Sequence, residues 1–415
     1  MTSFIEPDRT QVIPLSPADP PAPPDPPAPI VPGNPFAEAS MAASERSVDV
    51  VDEPTRIVPV TPAVPVTPAG AAESPSGASC QAYHFTVRQS PSGDPHQVYG
   101  ELCARGEVTE DTPVQVLLHG GAYDHSYWDW PYKPEKYSYV RHATQAGFAT
   151  LNLDRLGYGR SDRPDPERLG FEAGAEVVHQ VVRYLRDGAL GPRFRTVVLN
   201  GHSMGGLVAE RAAAHGGVDA VIISGIGPDV GGDAEDEEDE AGGPAGEGPG
   251  GASGQGDPYY PFHPATQDPK FADASWAKGY YTTRPGTRPA IFLAEGTYEQ
   301  PVAGYEESLK DTLTAAELRA VRGGPDDEDD PGERDERGGS RREATESAAP
   351  RVPTLYALGR KDLIACARTR DCAAIPGMRD AAYLVPRSGH SINVSKGAPD
   401  FFRHTISWLA GQGIS

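Results

Sequence analysis

The sequence predicts an α/β fold, a mostly parallel sheet with helices on both faces. Three observations carry that prediction. The run Val197-Val198-Leu199-Asn200-Gly201-His202-Ser203-Met204-Gly205-Gly206-Leu207-Val208-Ala209 reads as a strand, a Gly-x-Ser-x-Gly turn and a helix. Apolar strand-like runs alternate with helical ones on either side of it. Ser203, Asp362 and His390 also follow one another in sequence, each just beyond a predicted strand.

Residues 1–75 are rich in Pro and Ala, with repeated Val-Thr-Pro-Ala units, and hold too little apolar surface to offset their ordering entropy. They are expected to be a disordered tail, with the folded domain spanning 76–415. Gln81–Arg88 and Gln97–Ala104 alternate as a hairpin around Ser90-Pro91-Ser92-Gly93-Asp94-Pro95. Val114–Leu118 is a buried strand ending at His119-Gly120-Gly121-Ala122, followed by an aromatic loop with Tyr123, Tyr127, Trp128, Trp130 and Tyr132. A helix over Tyr137–Ala146 and a strand over Phe148–Leu153 come next. Phe171–Arg186 places Val177, Val178, Val181, Val182 and Leu185 on one helical face. Arg195–Asn200 is the strand before the serine, Met204–Ala214 the helix after it, and Asp219–Ser224 another buried strand.

The rhythm then breaks. Residues 231–256 hold eight acids and no base, and 323–350 hold ten acids and four arginines. Both are expected to be disordered, solvated loops. Between them, residues 257–322 carry aromatic and helical pieces, including Trp276–Tyr281 and Thr312–Val321. A lid insertion is therefore expected over about 228–350. Strand–helix order resumes with Val352–Leu358, Tyr383–Val385 and a terminal helix around Asp400–Ala410.

The net charge is -22, of which the two acidic runs hold -14. That sign argues against nucleic acid, whose phosphates need Lys and Arg. No run approaches the roughly 18–20 apolar residues of a membrane span. Met1–Arg9 lacks the basic and apolar regions of a signal peptide, so a cytoplasmic location is expected of the chain as written. Four cysteines allow three pairings. Cys80–Cys103 and Cys366–Cys372 would each close a short local loop and open the possibility of secretion, whereas cytosolic thiols would be reduced. No paired Cys-x-x-Cys is present, and no zinc site is read.

A serine hydroxyl is a poor nucleophile at neutral pH. It needs a base, a carboxylate to orient that base, and donors for the oxyanion. Ser203 at the tip of a sharp turn, flanked by Gly201 and Gly205, is the candidate nucleophile. His390, in the last predicted strand-to-helix loop, is the candidate base. Asp362, directly after the preceding strand, is the candidate acid, with Asp229 as the alternative. The Met204 N–H, with a second donor from Gly121 or Ala122, would form the oxyanion hole. His119 is expected to support that loop, His202 to point away from the reacting atom, and Asp154 and Arg155 to hold loops together.

These motifs resemble the α/β-hydrolase superfamily, close to its lipase/esterase-like group with an inserted lid. The matching parts are His119-Gly120-Gly121, Asp154-Arg155-Leu156-Gly157-Tyr158-Gly159, Gly201-His202-Ser203-Met204-Gly205-Gly206, Gly359-Arg360-Lys361-Asp362 and Gly389-His390. The resemblance covers about residues 80–412 apart from the insertions. It implies an eight-stranded sheet, an acyl-enzyme mechanism and no cofactor. A serine at position 203 also sets the chain apart from epoxide hydrolases and haloalkane dehalogenases, which carry aspartate there.

The expected activity is hydrolysis of a carboxylic ester or related acyl bond. The aromatic loop and the lid residues Trp276, Tyr280 and Tyr281 point to a small-molecule substrate with an apolar or aromatic acyl group. Acyl transfer or thioester cleavage in a biosynthetic pathway keeps the same chemistry with another acceptor or leaving group. A non-catalytic binding protein on a hydrolase scaffold is the rival of another class.

Overall fold

Buried apolar runs set the architecture, because each central strand divides its side chains between two cores. Val114, Val116 and Leu118 face one core and Leu117 the other; Val197 and Leu199 oppose Val198; Val221 and Ile223 oppose Ala220 and Ile222. Strands covered on both faces need this unbroken hydrophobicity. The computed structural model describes residues 66–72, 74–90, 92–228, 261–322, 352–366 and 369–415. All lie within the compact unit Pro62–Ser415. The expected acidic loops 231–256 and 323–350, the alternative acid Asp229 and most of the expected tail fall outside the described residues.

The first half of the unit contains β1 (Val66–Ala72), β2 (Ser79–Arg88), β3 (Pro95–Ala104), β4 (Val114–Leu118), α1 (Pro134–Tyr137), α2 (Tyr139–Gln145) and β5 (Ala149–Leu153). Next come α3 (Phe171–Asp187), β6 (Val197–His202), α4 (Met204–Ala214) and β7 (Ala220–Ser224). An inserted segment follows, with β8 (Phe262–Pro264), β9 (Tyr280–Thr283), α5 (Arg288–Phe292), α6 (Gln300–Ser308), β10 (Leu313–Thr314) and α7 (Ala315–Ala320). The chain then re-enters the sheet through β11 (Thr354–Gly359), α8 (Met378–Ala381), β12 (Tyr383–Val385) and α9 (Ala398–Gly411).

Among the described residues the main sheet has nine strands, ordered β1-β2-β3-β5-β4-β6-β7-β11-β12. β5, β4, β6, β7, β11 and β12 are parallel neighbours, and β1, β2 and β3 join antiparallel. The expectation of eight strands is thereby corrected. The additional strand, Val66–Ala72, lies inside the stretch expected to be tail. It pairs from Val66↔Phe85 to Ala72↔Cys80 with its middle residues exposed, so main-chain pairing rather than side-chain burial holds it. Composition registers only the latter.

α3 and α4 pack on one face of the sheet, and α2 and α9 on the other. Small residues Gly205, Gly206, Ala209, Ala212 and Ala213 let α4 lie close against the sheet. Two disulfides are present, Cys80–Cys103 (S–S 2.07 Å) and Cys366–Cys372 (2.03 Å). Among its described residues the inserted segment forms a small antiparallel sheet, β10-β9-β8, with the short helices α5, α6 and α7. It seats on loops at the C-terminal edge of the main sheet. Asp311 N donates to Ala122 O at 3.0 Å, Ser391 N to Phe292 O at 2.9 Å and Lys396 N to Thr297 O at 2.6 Å.

Candidate active site

β6 runs into a turn whose tip, Ser203, adopts φ 52° and ψ -124°. A non-glycine residue holds such a conformation only where its surroundings over-determine it. Here the Ser203 N–H donates to Ser224 O at 2.7 Å, and its carbonyl accepts from Gly206 N at 2.7 Å. The turn also forces chain segments together. A Cβ on Gly201 would lie 2.3 Å from Gly205 O, and one on Gly205 would lie 2.3 Å from Leu118 O. Neither position admits a side chain.

β11 and β12 are adjacent parallel strands, and their C-terminal loops bring Asp362 and His390 together. The Lys361 N–H donates to Ser388 O at 2.9 Å. A Cβ on Gly359 would lie 1.9 Å from Gly389 O, so glycine sets how closely the two loops approach. His390 is buried, with Nδ1 2.9 Å from Asp362 Oδ2 and Nε2 2.9 Å from Ser203 Oγ. Asp362 is fully buried, and its Oδ1 accepts from Ile364 N and Ala365 N, each at 2.9 Å. An acceptor at Nδ1 assigns the imidazole proton to that nitrogen and leaves Nε2 to accept from the serine hydroxyl. The arrangement is able to take a proton from Ser203 while keeping the resulting positive charge beside a carboxylate.

Met204 is the first residue of α4, so its N–H has no intrahelical acceptor. The loop after β4 lies against it. A Cβ on Gly120 would stand 3.2 Å from Ser203 Cβ, and one on Gly121 2.4 Å from Met204 Sδ. Ala122, next in the loop, is fully buried with φ 59°. Ser203, Met204, Gly121, Asp362 and His390 thus meet at one edge of the sheet.

The neighbouring histidines make other contacts. His202 stacks on Tyr127 with centroids 4.6 Å apart, and its Nδ1 lies 3.1 Å from Ser224 Oγ. Burial, then the charge of His390, holds it well below the ordinary imidazole value, which keeps it neutral. His119 Nδ1 lies 2.9 Å from Gly120 O, and its Nε2 accepts from Arg155 N at 3.1 Å. Burial and the Arg155 guanidinium push it down to about 3. Arg155 reaches Glu317 of the insertion at 2.5 Å.

Asp124, His125 and Asp154 bring ligand-type atoms within 4.8 Å of one another. Those atoms are already engaged. Asp154 Oδ1 accepts from His125 N at 2.8 Å and lies 2.7 Å from His125 Nδ1, while Asp124 Oδ1 caps Ser126 N at 2.9 Å. Burial opposes the charge on His125, yet Asp154 lifts it to about 10. Burial likewise opposes the charge on Asp154, and His125 brings it down to about 2. Nothing in these contacts calls for a metal.

The aromatic loop serves packing. Tyr127, Trp128 and Trp130 are fully buried. Trp276 lies under the Arg163 guanidinium at 3.8 Å and against Tyr280, whose hydroxyl bonds Pro164 O at 2.9 Å. These contacts join insertion to core. Sequence reasoning missed a second buried group beside the site, formed by Tyr123, Arg288, Glu306 and Ser391. The Tyr123 hydroxyl meets Glu306 Oε1 at 2.8 Å and Ser391 Oγ at 2.6 Å. Burial raises the Glu306 carboxyl above its ordinary value, against the pull of Arg288. No motif marks Arg288 or Glu306; charged residues between two acidic runs read as solvated.

Comparison with known proteins places the chain. Residues 115–404 match the Alpha/beta hydrolase family. LipZ of Mycobacterium tuberculosis is 35% identical over 104 residues, 25% of this chain and 30% of that protein. The AB hydrolase superfamily protein YisY of Bacillus subtilis is 28% identical over 127 residues, 29% of this chain and 41% of its own length. The chain therefore spans well under half of these curated relatives. Among solved structures, a membrane phospholipase A aligns with TM-score 0.44 and 17% identity, over 82% of this chain and 88% of that one. A bacterial heroin esterase aligns with TM-score 0.42 and 14% identity, over 83% and 87%. With the family matched from the first strand of the parallel core to the terminal helix, the chain belongs to the Alpha/beta hydrolase family.

Proposed function

We propose that the protein is a serine hydrolase that cleaves a carboxylic ester through an acyl-enzyme. The observation that carries this reading is the continuous chain from Ser203 Oγ to His390 to Asp362, both links 2.9 Å, at the tip of a turn held at positive φ. Ser203 attacks the acyl carbon while His390 Nε2 takes its proton and then delivers it to the leaving alcohol. Asp362 fixes the imidazole tautomer and stabilises the imidazolium. The Met204 N–H, with that of Gly121 or Ala122, receives the oxyanion at the N-terminus of α4. A water molecule, activated by the same histidine, releases the acid. The two disulfides support maturation in an oxidising compartment.

The test is hydrolysis of a p-nitrophenyl ester series by wild type and a folded Ser203→Ala variant, with fluorophosphonate labelling alongside. Activity and labelling are expected in wild type, and both are expected to vanish with Ser203. A Ser203→Ala variant that retains the wild-type rate would remove the serine from the mechanism. A folded wild type that neither cleaves nor labels would favour a binding protein.

A further inference from the structure

Two fully buried charged side chains of the insertion reach the loops on either side of Ser203. Arg288 of α5 and Glu306 of α6 pair, with Arg288 Nε 3.0 Å and Nη2 2.9 Å from Glu306 Oε2. The guanidinium lies 4.3 Å from the Tyr123 ring centroid and 4.8 Å from that of Phe292. Its Nη1 donates to Ala122 O at 2.9 Å, and Asp311 N reaches the same oxygen at 3.0 Å. Both donors come from the insertion. They hold the carbonyl of a residue at φ 59°, in the loop that flanks Met204. At its other end the pair meets the base loop. Glu306 accepts from the Tyr123 hydroxyl, which lies 2.6 Å from Ser391 Oγ, one residue beyond His390.

A buried ion pair adds little as an anchor, because apolar residues of similar volume hold two surfaces together as well or better. What this pair supplies is direction. Arg288 has a planar fork, whose Nε donates to Glu306 Oε2 while its Nη1 donates to Ala122 O. We propose that Arg288 and Glu306 are positioning residues for the ester cleavage proposed above, on which this inference rests. From the insertion they fix the Ala122 peptide and the His390 loop, so that the oxyanion donors and the base meet Ser203 in register. A displacement of one ångström at such a loop is enough to cost a large factor in rate.

The test uses the full chain with p-nitrophenyl acetate and a fluorophosphonate probe. The Arg288→Met/Glu306→Gln double variant removes both charges without leaving either one buried and unpaired. Folding is checked by circular dichroism and Tm. The expected result is a fall of about 10- to 100-fold in kcat and in labelling rate together, with KM held within about threefold. Arg288→Lys, which keeps a cationic donor, is expected to fall between the double variant and wild type. Tyr123→Phe removes only the link between Glu306 and Ser391, and is expected to lower kcat by about 3- to 10-fold at unchanged KM. It decides the matter where the double variant does not fold. A folded double variant with wild-type kcat, or one whose loss lies wholly in KM, would overturn the positioning role while Ser203-dependent activity stands. A wild type without Ser203-dependent activity would instead overturn the reaction, and this role with it.

Discussion

The hydrogen bond from His390 Nδ1 to Asp362 Oδ2 decides which imidazole nitrogen is free to face Ser203. An amide at position 362 is able to donate where the carboxylate only accepts, and so permits the wrong tautomer. Asp362→Asn is therefore expected to lower kcat by about 10⁴-fold with little change in KM or fold, read by steady-state kinetics and circular dichroism. The His125–Asp154 pair makes a different prediction, of stability against pH. His125 rises from 6.5 to about 10, so its contribution is complete below pH 6.5 and is lost as pH climbs through 10. Asp154 falls from 3.8 to about 2, so its contribution is complete above pH 3.8 and is lost as pH falls through 2. Both shifts describe one interaction and are counted once. The stability difference between wild type and His125→Gln, from urea unfolding, should be largest between these two limits and shrink on the alkaline side. A difference independent of pH would remove the ion pair as its source.

The two disulfides staple elements with different duties. Cys80–Cys103 ties β2 to β3 at the register pair Cys80↔Cys103, among the strands that join antiparallel. Cys366–Cys372 closes the turn that presents Asp362, where Cys366 N donates to Asp362 O at 3.2 Å and Cys372 N to Arg360 O at 3.0 Å. Removing the first by a double Cys→Ser change should cost about 3 kcal/mol of stability and leave kcat near wild type. Removing the second should cost about 2 kcal/mol and lower kcat as well. Equal kinetics in the two variants would show that the second staple does not bear on Asp362. Much of this element structure was legible. Met204–Ala214 and Tyr383–Val385 occupy the residues the sequence predicts, because a glycine-rich turn and an apolar run mark their ends. The meeting of Ser203, Asp362 and His390 was legible too, since loops at one edge of a parallel sheet must converge. The strand Val66–Ala72 was not, because backbone pairing leaves no hydrophobic period in a Val-Thr-Pro-Ala repeat. Nor were β8 and β10, too short for any period to show, or Arg288 and Glu306, whose burial depends on partners far away in sequence.

At the scale of the whole molecule, the sheet runs from β1 at one border to β12 at the other. β1 covers the hydrogen-bonding edge of β2 with mostly exposed side chains. A chain shortened to 62–415 keeps that cover, and one shortened to 76–415 bares the edge of β2 over Cys80–Phe85. Open edges recruit other strands. The shorter chain should show a lower Tm and, by light scattering, self-association; equal behaviour of both would make β1 dispensable. The seating of the insertion has a further consequence. Ser391 and Lys396 complete their backbone hydrogen bonds on the carbonyls of Phe292 and Thr297. The insertion is consequently not a cartridge to be swapped for another. A chimera that imports a foreign segment between β7 and β11 inherits a histidine loop with two open donors. Such a graft would have to bring matching acceptors with it, so the insertion and the histidine loop are inherited together.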